Sequence, residues 1–161
     1  MSPLSFCVTS KHGKRPFHRS AAAHALGFSR YKKSIPALER TIANKNESPR
    51  VRGYAVEALA NAKRSIPILT KCLRDPSKIV RFWCIYALGI GNACHLKQAK
   101  IALAALQELA QSDKRMIRGY WSVQDEALWA LANLEGREKD AQKIELRLCG
   151  GWGRVRKRKT K

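Results

Sequence analysis

Four histidines, five cysteines and twelve acidic residues are the groups from which this 161-residue chain could build a metal or acid–base site. A structural metal site needs paired ligands at short spacings. His12, His18, His24 and His95 are scattered, and Cys94–His95 is an adjacent pair with no second pair at ligand spacing. His18 and His24 are six residues apart and share a helix face poorly. Acid–base chemistry fares no better. Asp125 and Glu126 are the one adjacent pair of acids, and neighbours in a helix point about 100° apart. The remaining acids fall in helical patterns that read as solvated. GxSxG, P-loop and GxGxxG signatures are absent. "GGWG" (150–153) reads as a flexible linker rather than a phosphate cradle. The expectation is no catalytic residue, no metal and no cofactor.

Binding to an anion is the chemistry the composition favours. The net charge is +20, which points to nucleic acid or an acidic protein as partner. Residues 1–38 hold seven basic and no acidic groups, and residues 150–161 hold six and none. The expected anion-binding residues are Lys11, Lys14, Arg15, Arg30, Lys32 and Lys33 near the start. At the end they are Arg154, Arg156, Lys157, Arg158, Lys159 and Lys161. The tail "GRVRKRKTK" has too little apolar content to fold alone and would neutralise phosphates by counterion release; a merely solubilising tail would look the same. Phe17, Phe28 and Tyr31 lie among the first basic set. Aromatics so placed suit single-stranded nucleic acid, although at helical spacing Phe17 and Phe28 equally suit a terminal core. Cys7, Cys72, Cys84, Cys94 and Cys149 are odd in number and form no CxxC pair, which reads as a reducing, cytoplasmic compartment. No signal peptide and no run of membrane-spanning length is evident, so no membrane partner is expected. A monomer is the expectation.

The elements that must position these groups are helices in a repeating order. In "DPSKIVRFWCIYALG" (75–89), Arg81 sits inside an apolar run, with Cys84 at +3 and Ala87-Leu88-Gly89 at +6 to +8. Arg52 precedes Ala55 and Ala58-Leu59-Ala60, Arg19 precedes Ala22 and Ala25-Leu26-Gly27, and Gln124 precedes Ala127 and Ala130-Leu131-Ala132. These anchors are 33, 29 and 43 residues apart. Small residues at +3 and +6 with leucine at +7 share one helix face and let a neighbouring helix approach closely. Each anchor helix is followed by a second helix. "SIPALERTI" (34–42) and "SIPILTKCL" (65–73) are near copies, with Ser34 and Ser65 as expected N-caps and Pro36 and Pro67 in the first turn. "ALAAL" (102–106) and the more polar "EKDAQKIELRL" (138–148) complete the series.

This pattern resembles the HEAT repeat, in particular the short HEAT-like repeats named after phycobilisome lyases. Pro67, Leu73, Asp75, Val80, Arg81, Ala87, Leu88 and Gly89 match the hallmarks of that family in order. The resemblance covers residues 17–148, weakening toward both ends. It implies an all-α fold, an α-solenoid of about four HEAT-like helical hairpins, with residues 1–16 as a basic N-terminal segment, 17–149 as the repeat domain and 150–161 as a basic flexible tail. A right-handed superhelix whose concave face is lined by the second helices is expected, and the first repeat reads as a cap or as the stump of a longer solenoid. The resemblance says little about function, because such repeats occur in scaffolds, lyases, hydroxylases and DNA glycosylases. None of the four histidines is followed by glutamate, so the His-Glu pairs of HEAT-type deoxyhypusine hydroxylase are missing. For a HEAT-type DNA glycosylase the chain is short; Trp83 and Trp129 are expected in the core, and Tyr120 and Trp121 could be exposed.

Burying Arg81 unpaired would be very costly. A repeat junction is therefore expected in which Arg52, Asp75 and Arg81 take part, with Arg81 pairing to an acid or to orphan carbonyls. In the resembling family this Asp and Arg pair along the stack, which makes Arg81–Asp75 the first pair to look for. Asn46 takes the place of Asp75 before Arg52, and Gln124 takes the place of arginine in the last repeat. The function expected is a non-enzymatic binding or scaffold module; the alternative is an enzyme or enzyme subunit, such as a bilin lyase-like component.

Overall fold

A computed structural model of the chain describes residues 16–29, 34–61, 66–90 and 96–157. They form eight helices: α1 (Pro16–Ser29), α2 (Ile35–Ala43), α3 (Pro49–Asn61), α4 (Ile66–Cys72), α5 (Lys78–Ile90), α6 (Leu96–Ser112), α7 (Val123–Leu134) and α8 (Glu138–Lys157). An isolated bridge between Met116 and Ser122 is the β-type pairing among the described residues. The four anchors fall on α1, α3, α5 and α7, and the second helices are α2, α4, α6 and α8. The molecule is an all-α solenoid.

Local chemistry explains several boundaries. Ser122 caps α7, its Oγ accepting from the Asp125 N–H at 3.0 Å. Asp125 and Glu126 stand in the same first turn, where carboxylates complement the helix dipole. Gly136 ends α7 at φ 71°. The Arg137 N–H reaches Ala132 O at 2.8 Å and the Gly136 N–H reaches Asn133 O at 3.2 Å, the paired bonds of a Schellman stop. Ser34 stands before α2 as expected, but at φ −81° and ψ −17° it is already in the helical region and its side chain makes no capping bond. Ser65 lies outside the described residues. Ser48 performs a cap that the sequence reading did not assign, its Oγ accepting from the Val51 N–H at 3.2 Å.

The small-residue seam controls the stacking. Ala55, Cys84 and Ala127 are fully buried, as are Leu59 and Ala130. A Cβ built on Gly89 would lie 2.5 Å from Trp129 Cζ3 and 3.1 Å from the Ala130 backbone, so only glycine lets α5 and α7 come this close. The anchor helices α1, α3, α5 and α7 therefore lie against one another, while α4 and α6 meet over a shorter stretch. The alanines and glycines thus draw the anchor helices together.

A second difference lies at the C-terminal end. α8 runs unbroken through Gly150, Gly151 and Gly153 to Lys157, where a linker and flexible tail were expected from residue 150. The first turns of α8 pack on α7. A helix nucleated in this way gains one backbone bond for each residue added, and no proline intervenes to remove a donor. No helix among the described residues is long and apolar enough to cross a membrane.

Candidate functional site

The repeat junctions answer the question of the buried arginines. Arg52, Asp75, Arg81 and Asp113 are each at most 4% exposed. Arg52 donates from Nε to Ile42 O at 3.0 Å and from Nη2 to the Asp75 carboxylate. Lys45 Nζ donates to the same Asp75 oxygen, and the other oxygen accepts from the Ser77 N–H at 3.0 Å. Arg81 donates from Nε to Asp113 Oδ2 at 3.0 Å and from Nη1 to the main-chain carbonyl of Asp75. Arg115 closes that junction from outside, its Nε 2.6 Å from Asp113 Oδ1. Arg19 forms a two-pronged pair with Glu47 at 2.8 and 3.0 Å.

The rule of the ladder is thus an arginine paired with the acid of the next turn along the stack. The expected side-chain pair Arg81–Asp75 is not made. The Asp75 carboxylate is held by its bond from Ser77 and faces back to Arg52, while the Arg81 guanidinium reaches forward to Asp113. Three of the anchors also hold a main-chain carbonyl of the hairpin before them: Arg52 that of Ile42 in α2, Arg81 that of Asp75 in the turn, and Gln124 that of Ala110 in α6 at 2.7 Å. Glutamine keeps this bond, so the loss of arginine in the last repeat costs only the ion pair. Burial alone would raise the Asp75 carboxyl, but hydrogen bonds from Lys45, Arg52 and Ser77 hold it below the usual carboxylate range. Asp113 is likewise held low, burial being outweighed by Arg115 and Arg81.

These junctions have an electrostatic consequence at the surface. Asp75 faces two cations, and so does Asp113. The inner arginine of each set is buried, while the outer cation stays in solvent: Lys45 has 60% and Arg115 59% of its side chain exposed. Lys71, Arg74, Lys78, Lys114 and Arg118 are exposed on and beside the same turns. A groove runs between α4 and α6 at this edge, with two lobes of about 540 and 560 Å³. Lys45, Lys71, Arg74 and Arg115 line it, and Glu108 is the exposed acid among its walls. Pro76, Ala104 and Ala105 form an apolar floor, and the guanidinium and ammonium donors around it suit phosphate or carboxylate groups.

Of the anion-binding residues expected from sequence, Lys11, Lys14, Arg15, Arg30, Lys32, Lys33, Arg158, Lys159 and Lys161 lie outside the described residues. Arg154, Arg156 and Lys157 fall on the last turns of α8. Arg52, Asp75 and Arg81 are brought to the junctions, though with different partners. Sequence reasoning missed Glu47, which does from one position later what Asn46 does not. It also missed the turn-edge cations. A weak signal for them existed, since each turn sets a basic residue within two positions of its acid: Lys45 and Glu47, Arg74 and Asp75, Asp113 and Arg115.

A family model of HEAT repeats matches residues 40–132, more than half of the chain. This chain belongs to the HEAT repeat family. A deoxyhypusine hydroxylase of Gibberella zeae is 36% identical over 88 residues. The match takes in 53% of this chain and only 26% of that enzyme, so the chain spans about a quarter of the length of this relative.

Proposed function

We propose that this HEAT-repeat chain is a non-enzymatic binding module that engages an anionic partner through its turn edge, with the basic segments at both ends of the sequence adding affinity. The observation that carries this reading is the one-sided use of acids. Asp75 and Asp113 are consumed inside the stack, each against two cations, and the second cation of each set is left at the surface beside further exposed lysines and arginines. Lys45, Arg74 and Lys114 expose positive charge on three successive turns, which fits a polyanion better than a single small anion. Nucleic acid is the favoured partner, because phosphate contacts need no base readout and no pocket. The free, buried thiols of Cys72 and Cys84 fit a reducing cytoplasm.

The test is a salt titration of binding to duplex DNA, single-stranded RNA and polyglutamate. The log–log slope for a nucleic acid should fall by about one for each phosphate contact removed in Lys71→Glu, Arg74→Glu and Lys114→Glu. Deleting residues 150–161 should lower affinity for all sequences alike. Tighter binding of polyglutamate than of either nucleic acid would identify an acidic protein as partner. No salt-sensitive binding to any of the three would remove the reading.

A second reading, an enzyme or enzyme subunit, is favoured by the match to the hydroxylase of Gibberella zeae. Against it, no histidine of this sequence is followed directly by a glutamate, and the match takes in only 26% of that enzyme.

A further inference from the structure

The face formed by the anchor helices has a different chemistry from the turn edge. Two and five positions after the anchors stand Tyr54 and Glu57 on α3, Trp83 and Tyr86 on α5, and Glu126 and Trp129 on α7. Three-residue spacing puts each pair on one helix face. Trp83 and Trp129, expected in the core, are instead half-buried, as are Tyr54 and Tyr86. Each packs at the margin of the core, Trp83 over Gly53 of α3 and Trp129 over Gly89 of α5, where the glycines leave room for the indole rings. Tyr120, 43% exposed, folds over from the turn before α7.

The rings meet as walls. Trp83 stands perpendicular to Tyr86, at 90° with centroids 5.6 Å apart, and at 76° and 5.4 Å to Tyr120. Tyr86 stacks at 12° and 5.9 Å on Trp129. Glu57 stands one turn after Gly53, where a Cβ would lie 2.9 Å from Trp83 Cδ1, and so shares this neighbourhood; after burial, its negative charge is the first cause that raises the phenols of both Tyr86 and Tyr120. Its Oε2 is buried and accepts no hydrogen bond, while Oε1 lies 3.9 Å from His24 Nε2. The other charges felt by Tyr86, those of Glu126 and Glu145, are also acidic. At the margin, Arg50 already places its guanidinium 5.9 Å over the ring of Tyr54.

We propose that Glu57 and the rings of Trp83, Tyr86 and Tyr120 form a binding site for an organic ammonium ion. Aromatic faces at right angles attract a cation through their quadrupoles. A buried carboxylate oxygen with no donor is costly and is relieved by a ligand that brings N–H groups or positive charge. The site does not depend on the turn edge, so an anionic partner there and an ammonium ligand here stand or fall separately.

The test uses the full chain and its tryptophan emission, titrated at constant ionic strength with choline, with Nα-acetyl-lysine amide and with 3,3-dimethyl-1-butanol, the neutral shape-mimic of choline. At least one of the two cations should saturate, and the neutral alcohol should bind about tenfold more weakly than choline if choline saturates. Choline the tighter points to a small quaternary ammonium; the lysine probe the tighter points to a lysyl side chain of a partner. Glu57→Gln and Tyr120→Leu, each shown to be folded by its urea melt, should weaken the tighter cation about tenfold. The proposal is overturned if neither cation saturates below about 100 mM. It is equally overturned if the alcohol matches choline, or if both variants, still folded by their urea melts, bind as the parent does.

Discussion

Replacing Asp75 by alanine tests the junction ladder most directly. The carboxylate accepts from Arg52, Lys45 and the Ser77 N–H. Lys45, with 60% of its side chain exposed, returns to water when Asp75 is lost, and its share is about 0–1 kcal/mol. Arg52 is 2% exposed and cannot do so. Stranding its guanidinium costs about 3–5 kcal/mol, a large part of the roughly 5–15 kcal/mol that holds a domain folded. Urea melts at neutral pH read this loss as a lower midpoint. Double-mutant cycles then locate the pairing. Asp75→Ala and Arg52→Ala should be strongly coupled. Asp75→Ala and Arg81→Ala should couple weakly, because Arg81 touches only the main-chain carbonyl of Asp75, which the alanine variant keeps. The joint change Arg52→Met with Asp75→Leu should recover most of the loss, since an apolar pair avoids the desolvation cost. The pH profile provides a second check. The folded pKa of Asp75 lies below its ordinary value, so its contribution is complete above about pH 4 and disappears as pH falls through the depressed value. Asp75→Ala should therefore flatten the acid limb of the stability curve. A variant within about 0.5 kcal/mol of the parent, or a larger coupling to Arg81 than to Arg52, would refute the ladder described above.

Two further outcomes follow from buried geometry. Glu126 is fully buried, with Trp121 Nε1–H donating to one carboxylate oxygen and no partner on the other. Burial pushes its pKa from 4.5 up to about 8, with Asp125 and Glu145 adding to the rise and Trp121 opposing it. A raised acid contributes stability in full below its unfolded pKa and loses it as pH climbs through the folded one, here about 5 kcal/mol at most. Glu126→Gln should melt near the parent at pH 5 and above it at pH 9; coincident curves at both would show that Glu126 is ionised in the fold. At Gly89, alanine would set a methyl 2.5 Å from Trp129 Cζ3. The overpacking, about 1–3 kcal/mol, should outweigh the roughly 1 kcal/mol that alanine gains in helix propensity. A Gly89→Ala protein with a raised melting temperature would mean that α5 and α7 are not in such close contact.

The repeated offsets after Arg19, Arg52, Arg81 and Gln124 were enough to derive the helices, their order and the HEAT architecture. Those signals are local: a 3.6-residue period, a proline in a first turn and a small-residue stripe each act within a few residues of one another. That buried arginines need partners was equally clear, because the cost of an unpaired guanidinium does not depend on the fold. Glu47 was obscured by a one-residue offset, and Trp83 and Trp129 join the core only at its margin, because apolar type does not reveal how deeply a large ring is covered.

Which acid each arginine meets was decided by the stack. Arg19–Glu47, Arg52–Asp75 and Arg81–Asp113 span 28, 23 and 32 residues, so unequal connections hide their common geometry along the chain. The same holds for the basic edge, made of three turns far apart in sequence, and for the aromatic face of the anchor helices, where Tyr120 joins rings from two other elements. Sequence by itself determined the repeating unit and its demand for buried charge pairs, since both follow from short-range periodicity and desolvation. Tertiary structure alone decided the pairing, the charged edge and the aromatic wall, because each exists only where successive repeats touch.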